Sequence, residues 1–359
     1  MKKTYSIGVL DGDDIGHEIV PETIRAMRAA IDREGIDVDW QQLPIGRAAY
    51  DQLGTTMPDN TIERLGAMDG WVLGPIGHRE YPDDPKAINP HPILRKRFEL
   101  HSNIRPARAL PNLPCIHPDT DLVIVRENTE GFQPDRNVVA GSGEFRPTHD
   151  TTISVRVITR KNSRAAALSA FELARRRRHK VTAVHKNTVF KLGCGMFAEE
   201  CQKVAKDYPD VEYNEVIVDT FAMRAVMKPT DFDVVVTTNM FGDILSDLTA
   251  GLVGGLGLAP GLSAGDAHAM AQATHGSAPD IAGRGIANPY AMIISGAMLL
   301  DWLGQKNTDE RMHRAANRIH EGMEAVFGDD RVLTPDLGGS ASTHAVGDAL
   351  EARIQARAD

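Results

Sequence analysis

Short apolar runs alternate with stretches of helical period along most of this chain, and that alternation constrains the fold more than any other feature. "TYSIGVL", "MDGWVLGP", "TDLVIVREN", "KVTAVHKN", "VEYNEVIVDT" and "DFDVVVTTNMFG" read as strands. Near-continuous apolarity is what a strand buried on both faces requires. "HEIVPETIRAMRAAIDREG" carries apolar residues at helical spacing, and Gly35 is a good stop. "TISVRVITRKNS" reads as a strand and "RAAALSAFELARRRR" as the helix after it. Strands alternating with helices imply an α/β fold with much parallel sheet. At 359 residues the chain makes two domains or one large one.

Bulk properties narrow the function classes. A net charge of −9 argues against a general nucleic-acid or membrane-surface binder, though a pocket can still be locally basic. Cys115, Cys194 and Cys201 make no paired framework and fit a reducing compartment. The apolar run near the N-terminus stops at Asp11, too short for a signal peptide, and "AMIISGAMLL" is too short to span a bilayer. The expectation is a cytoplasmic protein. Gln133–Asp150 has glycines, prolines and charges without helical period, and reads as a mobile loop or as an arm pairing with another subunit. Arg175–Arg178 with Lys180 is either a phosphate grip or, more in keeping with cations at helix C-termini, a solvated helix end.

"NMFGDILSDLTAGLVGGLGLAPG" places Asp243 and Asp247 four residues apart in an apolar stretch just after a strand. On a helix these two point the same way. Like charges this close repel unless something neutralises them, and a hard divalent cation with oxygen ligands would do so. The plainer reading is an N-cap plus a surface carboxylate. The apolar neighbours favour the cation, because unpaired carboxylates rarely sit among them. Asp219 ends the run "EVIVD", and ligands gather at the carboxyl ends of parallel strands. Together the three aspartates make an oxygen-ligand set for Mg²⁺ or Mn²⁺.

"RKRFELHSNIRPAR", "VIVRENTEG", "AVHKNTV", "VVVTTNMFGDILSDLTAGLVGGLG" and "THGSAPDIAGRGIANP", in this order, resemble the metal-dependent β-decarboxylating dehydrogenases. That family includes isopropylmalate, isocitrate, homoisocitrate, tartrate and D-malate dehydrogenases. The resemblance covers nearly the whole chain. It implies the isopropylmalate/isocitrate dehydrogenase-like two-domain fold with a mixed, largely parallel sheet. A cofactor domain of residues 1–101 plus 254–359 would enclose a substrate and dimerisation domain of residues 102–253, with an arm near 133–150. No G-x-G-x-x-G follows the first strand, so the fold is not of that dinucleotide type. The family holds NAD(P) in a loop like "HGSAPDIAG".

Gly276 and Ser277 let backbone amides approach the phosphates, and by this resemblance Ala278 also lines the cofactor site while His275 and Asn288 contact the adenosine portion. Asp280 followed by Ile281 is the NAD-type pair, since a carboxylate binds ribose hydroxyls and repels a 2′-phosphate. A turn-capping Asp is the alternative reading. Arg95, Arg105 and Arg126 match the substrate arginines, whose planar forks suit carboxylates. Lys96, Arg97 and Arg108 read as surface residues. The implied reaction is oxidation of a malate-type 2-hydroxy acid followed by loss of CO₂, with the metal as Lewis acid. Lys186 matches the proton-handling lysine, beside cationic neighbours that lower an amine's pKa, with Asp219 as its catalytic companion. Both come from the other subunit in the family, so a homodimer with shared sites is expected.

Several positions depart from the family pattern. Gln133 stands where a tyrosine acid is usual, Thr188 replaces an asparagine, Gln272 a glutamate, and Asp14 a glycine. They keep open a non-catalytic regulatory homologue, against which the retained Lys186 and three aspartates argue, and a decarboxylase that makes no use of NAD. In "AINPHPILR", Asn89 and His91 precede Arg95, and Pro90 and Pro92 are expected to interrupt any regular helix. A polar pair there favours a small or polar 3-substituent, as in D-malate, tartrate or isocitrate, over the 3-isopropylmalate dehydrogenase alternative.

Overall fold

The computed structural model describes residues 3–132 and 143–356. Its centre is a ten-stranded sheet in the order β2-β1-β3-β12-β11-β4-β5-β10-β8-β9. The strands are β1 (Thr4–Leu10), β2 (Asp37–Gln42), β3 (Gly70–Leu73), β4 (Ser102–Arg108), β5 (Asp121–Glu127), β8 (Lys180–His185), β9 (Glu212–Ile217), β10 (Val234–Thr237), β11 (Leu262–Ala264) and β12 (Ala269–Ala271). At one end β2, β1, β3 and β12 are parallel, and at the other so are β5, β10, β8 and β9. Antiparallel β11 and β4 join the two blocks. The sheet is mixed and largely parallel, as expected.

The apolar core sorts along the same seam. Around the first block, side chains from Tyr5 to Phe327 pack against α1 (Gly16–Arg33), α9 (Tyr290–Asn307), α10 (Glu310–Gly328) and α11 (Thr343–Ala356). Around the second, one cluster lies against α5 (Arg160–Arg175) and α6 (Gly193–Asp207). Another lies against α7 (Val218–Met227) and α8 (Asn239–Val253). β10 and β3 are buried at every position, which is why their sequences read as unbroken apolar runs. Shorter helices α2 (Gly46–Leu53), α3 (Asp59–Gly66) and α4 (Pro90–Arg97) complete the first half. Among the described residues no helix is long and apolar enough to cross a membrane.

Three local expectations need correction. Pro90 and Pro92 do not break a helix but open α4, since first-turn N–H groups have no intrahelical acceptor to lose. Asp219 does not end a strand: β9 stops at Ile217, and Asp219 lies in the first turn of α7. The strand expected across residues 152–163 is only β7 (Thr151–Ser154), and α5 begins at Arg160 because Thr159 accepts a hydrogen bond from the Asn162 amide as its N-cap. β6 (Glu144–Thr148) and β7 form an exposed hairpin apart from the main sheet, so the arm is a β-ribbon where it is described.

Candidate active site

Parallel β5, β10, β8 and β9 deliver the segments that follow them to one edge of the sheet, and the candidate residues gather there. Arg126 is the penultimate residue of β5 and pairs in register with Thr237 of β10. α8 then starts directly over it. A Cβ at Gly242 would lie 2.6 Å from Arg126 Cβ, so the glycine in "FGD" lets helix and strand approach this closely. Arg105 arrives on antiparallel β4, and Arg95 on the last turn of α4.

These three arginines are buried, and all three act on Asp243. Arg105 donates to Asp243 Oδ1 at 3.1 Å, and Arg126 donates to the same oxygen. Arg126 also donates to Asn239 Oδ1 at 2.7 Å, and Arg105 to Ser246 Oγ at 2.7 Å and to Asn103. Burial works against ionising Asp243, but Arg126, Arg105 and Arg95 outweigh it and hold the carboxyl below its ordinary range. Asp247, 3.8 Å from Arg105, is shifted the other way, raised by burial and by the charge of Asp243. Burial also lowers the Arg105 guanidinium.

The arrangement fits a hard divalent cation. Both arginine bonds use Oδ1 of Asp243, and Oδ2 takes part in neither. The donors are carboxylate oxygens on half-exposed side chains four residues apart on α8. Asp219 does not complete the set within one chain, because among the described residues no cluster of three such ligands forms. It lies instead 2.5 Å from Lys186 Nζ, which holds its carboxyl below the ordinary range. β8 and β9 are parallel neighbours with His185 opposite Ile217, so the next residues of each emerge together. The neighbour of Lys186 is thus a carboxylate and not the cationic group the sequence suggested.

The loop from Thr274 to Pro289 wraps the start of α1. Ser277 is buried, its carbonyl accepts from the Ile15 amide at 3.2 Å, and the Gly283 amide donates to Glu18 at 2.5 Å. Ala278 is held at φ +44°, in the left-handed region. Asp14 at φ +51° sits there too, which explains a glycine in the related pattern and the tolerance of aspartate. His275 Nε2 is buried with no hydrogen-bond partner, a donor or acceptor left over for a ligand. Asn288 donates to Asp336 at 3.0 Å and Asp280 is exposed, with no hydrogen bond or ion pair to its carboxylate among the described residues. That geometry fits a cofactor loop and leaves the turn-capping reading of Asp280 without support.

Other sequence candidates find different places. Asn89 accepts from the His91 amide at 3.1 Å as the N-cap of α4. His91 Nε2 accepts from the buried Gln272 side chain, and it lies one turn before Arg95 on the same helix face. Arg175, Arg176 and Lys180 pair with Asp210, Asp301 and Glu212. Arg177 and Arg178 share Asp121 and Asp233. The run is therefore a paired helix end and no phosphate grip. Gln133 lies outside the described residues. Asn239, Ser246 and Asn103, which brace the arginines, drew no notice in the sequence, since polar residues beside a strand end carry no spacing signal.

A family model described as isocitrate/isopropylmalate dehydrogenase matches residues 6–350. The isocitrate/homoisocitrate dehydrogenase of Thermus thermophilus is 40% identical over 349 residues, covering 96% of this chain and 97% of its own. The 3-isopropylmalate dehydrogenase of Archaeoglobus fulgidus is also 40% identical over 349 residues, covering 96% of each. A crystal structure of isocitrate dehydrogenase from Methylococcus capsulatus superposes with a TM-score of 0.86 at 39% identity, over 98% of this chain and 99% of that one. Fold and likeness thus define an oxidoreductase, a decarboxylating dehydrogenase. The chain belongs to the isocitrate/isopropylmalate dehydrogenase family, whose members use NAD(P) and a divalent metal.

Proposed function

We propose that this enzyme oxidatively decarboxylates a (2R)-malate-type 2-hydroxy acid, with NAD and with Mg²⁺ or Mn²⁺. The observation that carries the reading is the convergence of buried Arg95, Arg105 and Arg126 on Asp243. Three fixed cations exceed the two aspartates beside them, so the pocket has a standing affinity for anions. Their forks bind and orient the substrate carboxylates. Asp243 and Asp247, with Asp219 of the partner subunit, would hold the divalent ion. That ion supplies Lewis-acid polarisation of the substrate oxygens. Lys186, once it has released its own proton to solvent, takes that of the 2-hydroxyl, and Asp219 steadies the ammonium that re-forms.

The partner is a second copy of this chain. Leu192, Met227, Val189, Ile244 and Met223 are 88%, 70%, 63%, 59% and 55% exposed, and they lie on the turn after Lys186 and on α7 and α8. Such apolar exposure marks an association surface. It runs beside the Lys186–Asp219 pair, so a second copy would bring that pair to the other chain's arginines. The same pattern supports two domains, residues 1–101 with 254–359 and residues 102–253, since the apolar clusters divide there except for Leu110 and Leu113, which join the first.

For the 3-substituent, His91 and Gln272 place polar atoms one turn from Arg95, which supports a small or polar group. A panel of isopropylmalate, isocitrate, homoisocitrate, D-malate and tartrates, followed by reduced-cofactor absorbance with Mn²⁺, tests this. Isopropylmalate giving the highest kcat/KM would overturn it, as would an unchanged ranking in His91→Leu. NAD should exceed NADP in kcat/KM by at least about tenfold, through Asp280. Equal use of NADP would sink that assignment.

A further inference from the structure

Arg156 lies between the β6–β7 hairpin and α5, and the reaction outlined above gives it no role. Its guanidinium carbon is 4.9 Å from the ring centre of Phe190, 5.4 Å from that of Phe132 and 5.5 Å from that of Phe241. Its two terminal nitrogens donate to Thr238 Oγ1 at 3.1 Å and to Cys194 Sγ at 3.4 Å. No carboxylate among the described residues pairs with it. One side chain therefore ties together three segments that are distant in sequence.

Each of those segments leads to the candidate chemistry. Phe190 belongs to the turn that Lys186 starts: its amide donates to the Lys186 carbonyl at 2.8 Å, and the Val189 amide donates to the same oxygen at 3.1 Å. Cys194 follows at the head of α6, its amide bonded to the Phe190 carbonyl at 3.0 Å. Thr238 is the N-cap residue of α8, and its hydroxyl serves Arg156 and makes no cap bond. Phe241 is two residues before Asp243. Phe132 stands next to Gln133, and its neighbour Gly131 pairs through both backbone groups with Val157. Three ring faces around a cation favour one orientation, and the planar fork fixes a second axis.

We propose that Arg156 is a positioning residue that holds the Lys186 turn and the start of α8 in a common frame. The proposal rests on the reading that Lys186 and Asp243 carry chemistry. It is distinguished from direct substrate binding, because Arg95, Arg105 and Arg126 stand on α4, β4 and β5, and among the described residues none of them is a ring or hydrogen-bond partner of Arg156. Loss of the frame should therefore lower kcat and spare KM.

Arg156→Met, Arg156→Lys and Phe190→Leu are to be compared with the intact enzyme in kcat, KM and thermal midpoint. Arg156→Met should lose about tenfold to a hundredfold in kcat, the usual consequence of a small misplacement of reacting groups. Its KM should stay within about threefold. Arg156→Lys, which keeps the cation among the rings but loses the fork, should recover part of the loss. Phe190→Leu should show a smaller fall of the same kind and decides the matter if Arg156→Met does not fold. An unchanged kcat per folded site overturns the proposal, whatever happens to the thermal midpoint. So does Arg156→Lys no better than Arg156→Met, or a rise in KM that matches the fall in kcat. Lys186→Met and Asp243→Asn run alongside: full turnover in both would overturn the functional reading and this proposal with it, whereas their loss with an intact Arg156→Met overturns this proposal alone.

Discussion

Asp243 and Asp219 each sit near the start of a helix that follows a parallel strand, yet their surroundings are opposite. Asp243 lies against buried arginines that arrive from two strands and another helix, and its charge is balanced inside the chain. Asp219 has a 67% exposed side chain, pairs among the described residues with Lys186 alone, and borders an apolar surface open to solvent. The inner cluster is finished by folding. The outer pair is left at the rim, and in the proposed dimer it would meet the arginine-lined pocket of the other chain. Under the proposed reading, a site divided this way would make catalysis conditional on assembly, while the arginine cluster is built into each chain.

The strongest way to break this comparison is Lys186→Met. Loss of a general acid–base group should lower kcat by about 10²–10⁴-fold. Mixing Lys186→Met with Asp243→Asn chains should then restore up to about a quarter of wild-type activity, since half of random dimers carry one intact shared site. Mixtures as dead as their components would show that both halves serve the same chain. Asp243→Asn alone should lower metal-dependent turnover by about 10²–10³-fold while the protein stays folded, because the arginines keep an acceptor but the charge facing the cation is gone. Full activity with unchanged metal dependence would remove Asp243 from the site.

Leu192→Asp sharpens the outer half. A monomer would barely notice a charge at an 88% exposed position. A dimer that buries it should dissociate at least about a hundredfold more readily, read by sedimentation, and activity should become concentration-dependent. An unchanged sedimentation profile would place the interface elsewhere.

The last expected effect is one of stability and concerns the buried carboxyl of Glu130, against Thr159 and Asn162. Glu130 is fully buried, and burial and then Glu127 raise its carboxyl to about 7, against hydrogen bonds from Thr159 and Asn162 that favour the charged form. A folded pKa above the unfolded value means that the folded state holds the proton longer. This group therefore favours folding below about pH 4.5, and that contribution fades as pH rises to about 7. The span corresponds to roughly 3 kcal/mol. Glu130→Gln should flatten the stability curve across that window in thermal melts. A parallel curve for both proteins would mean that Glu130 ionises like an exposed carboxylate.

Much of this was legible in sequence because some signals are local. The runs around β1, β5, β8 and β10 announced buried strands, and "FGDILSD" on a helix put two carboxylates on one face. Strands β2, β4, β11 and β12 escaped: β11 and β12 are three residues each, β2 is six residues of mixed polarity, and the seven of "SNIRPAR" put Arg105 and Arg108 on opposite faces with no clean alternation. Asn89 illustrates another limit. Its type suggested a ligand contact, and its oxygen caps α4.

By itself the sequence determined the family, the α/β class, the order of the arginine, lysine and aspartate motifs, and the carboxylate spacing on α8. Those properties depend on residue type and on periods of a few residues. Tertiary structure alone decided that Arg105 and Arg126 share one oxygen of Asp243, that Lys186 meets Asp219, that Gln272 holds His91, and that Arg156 stands among three rings. These partners lie from 24 to 181 positions apart, or come together only through strand order, and no local rule couples residues across such distances. The physical reason is that helix and strand propensities act over a few bonds. Burial, charge pairing and the packing of rings around a cation act through space, and only the folded sheet says which distant residues share that space.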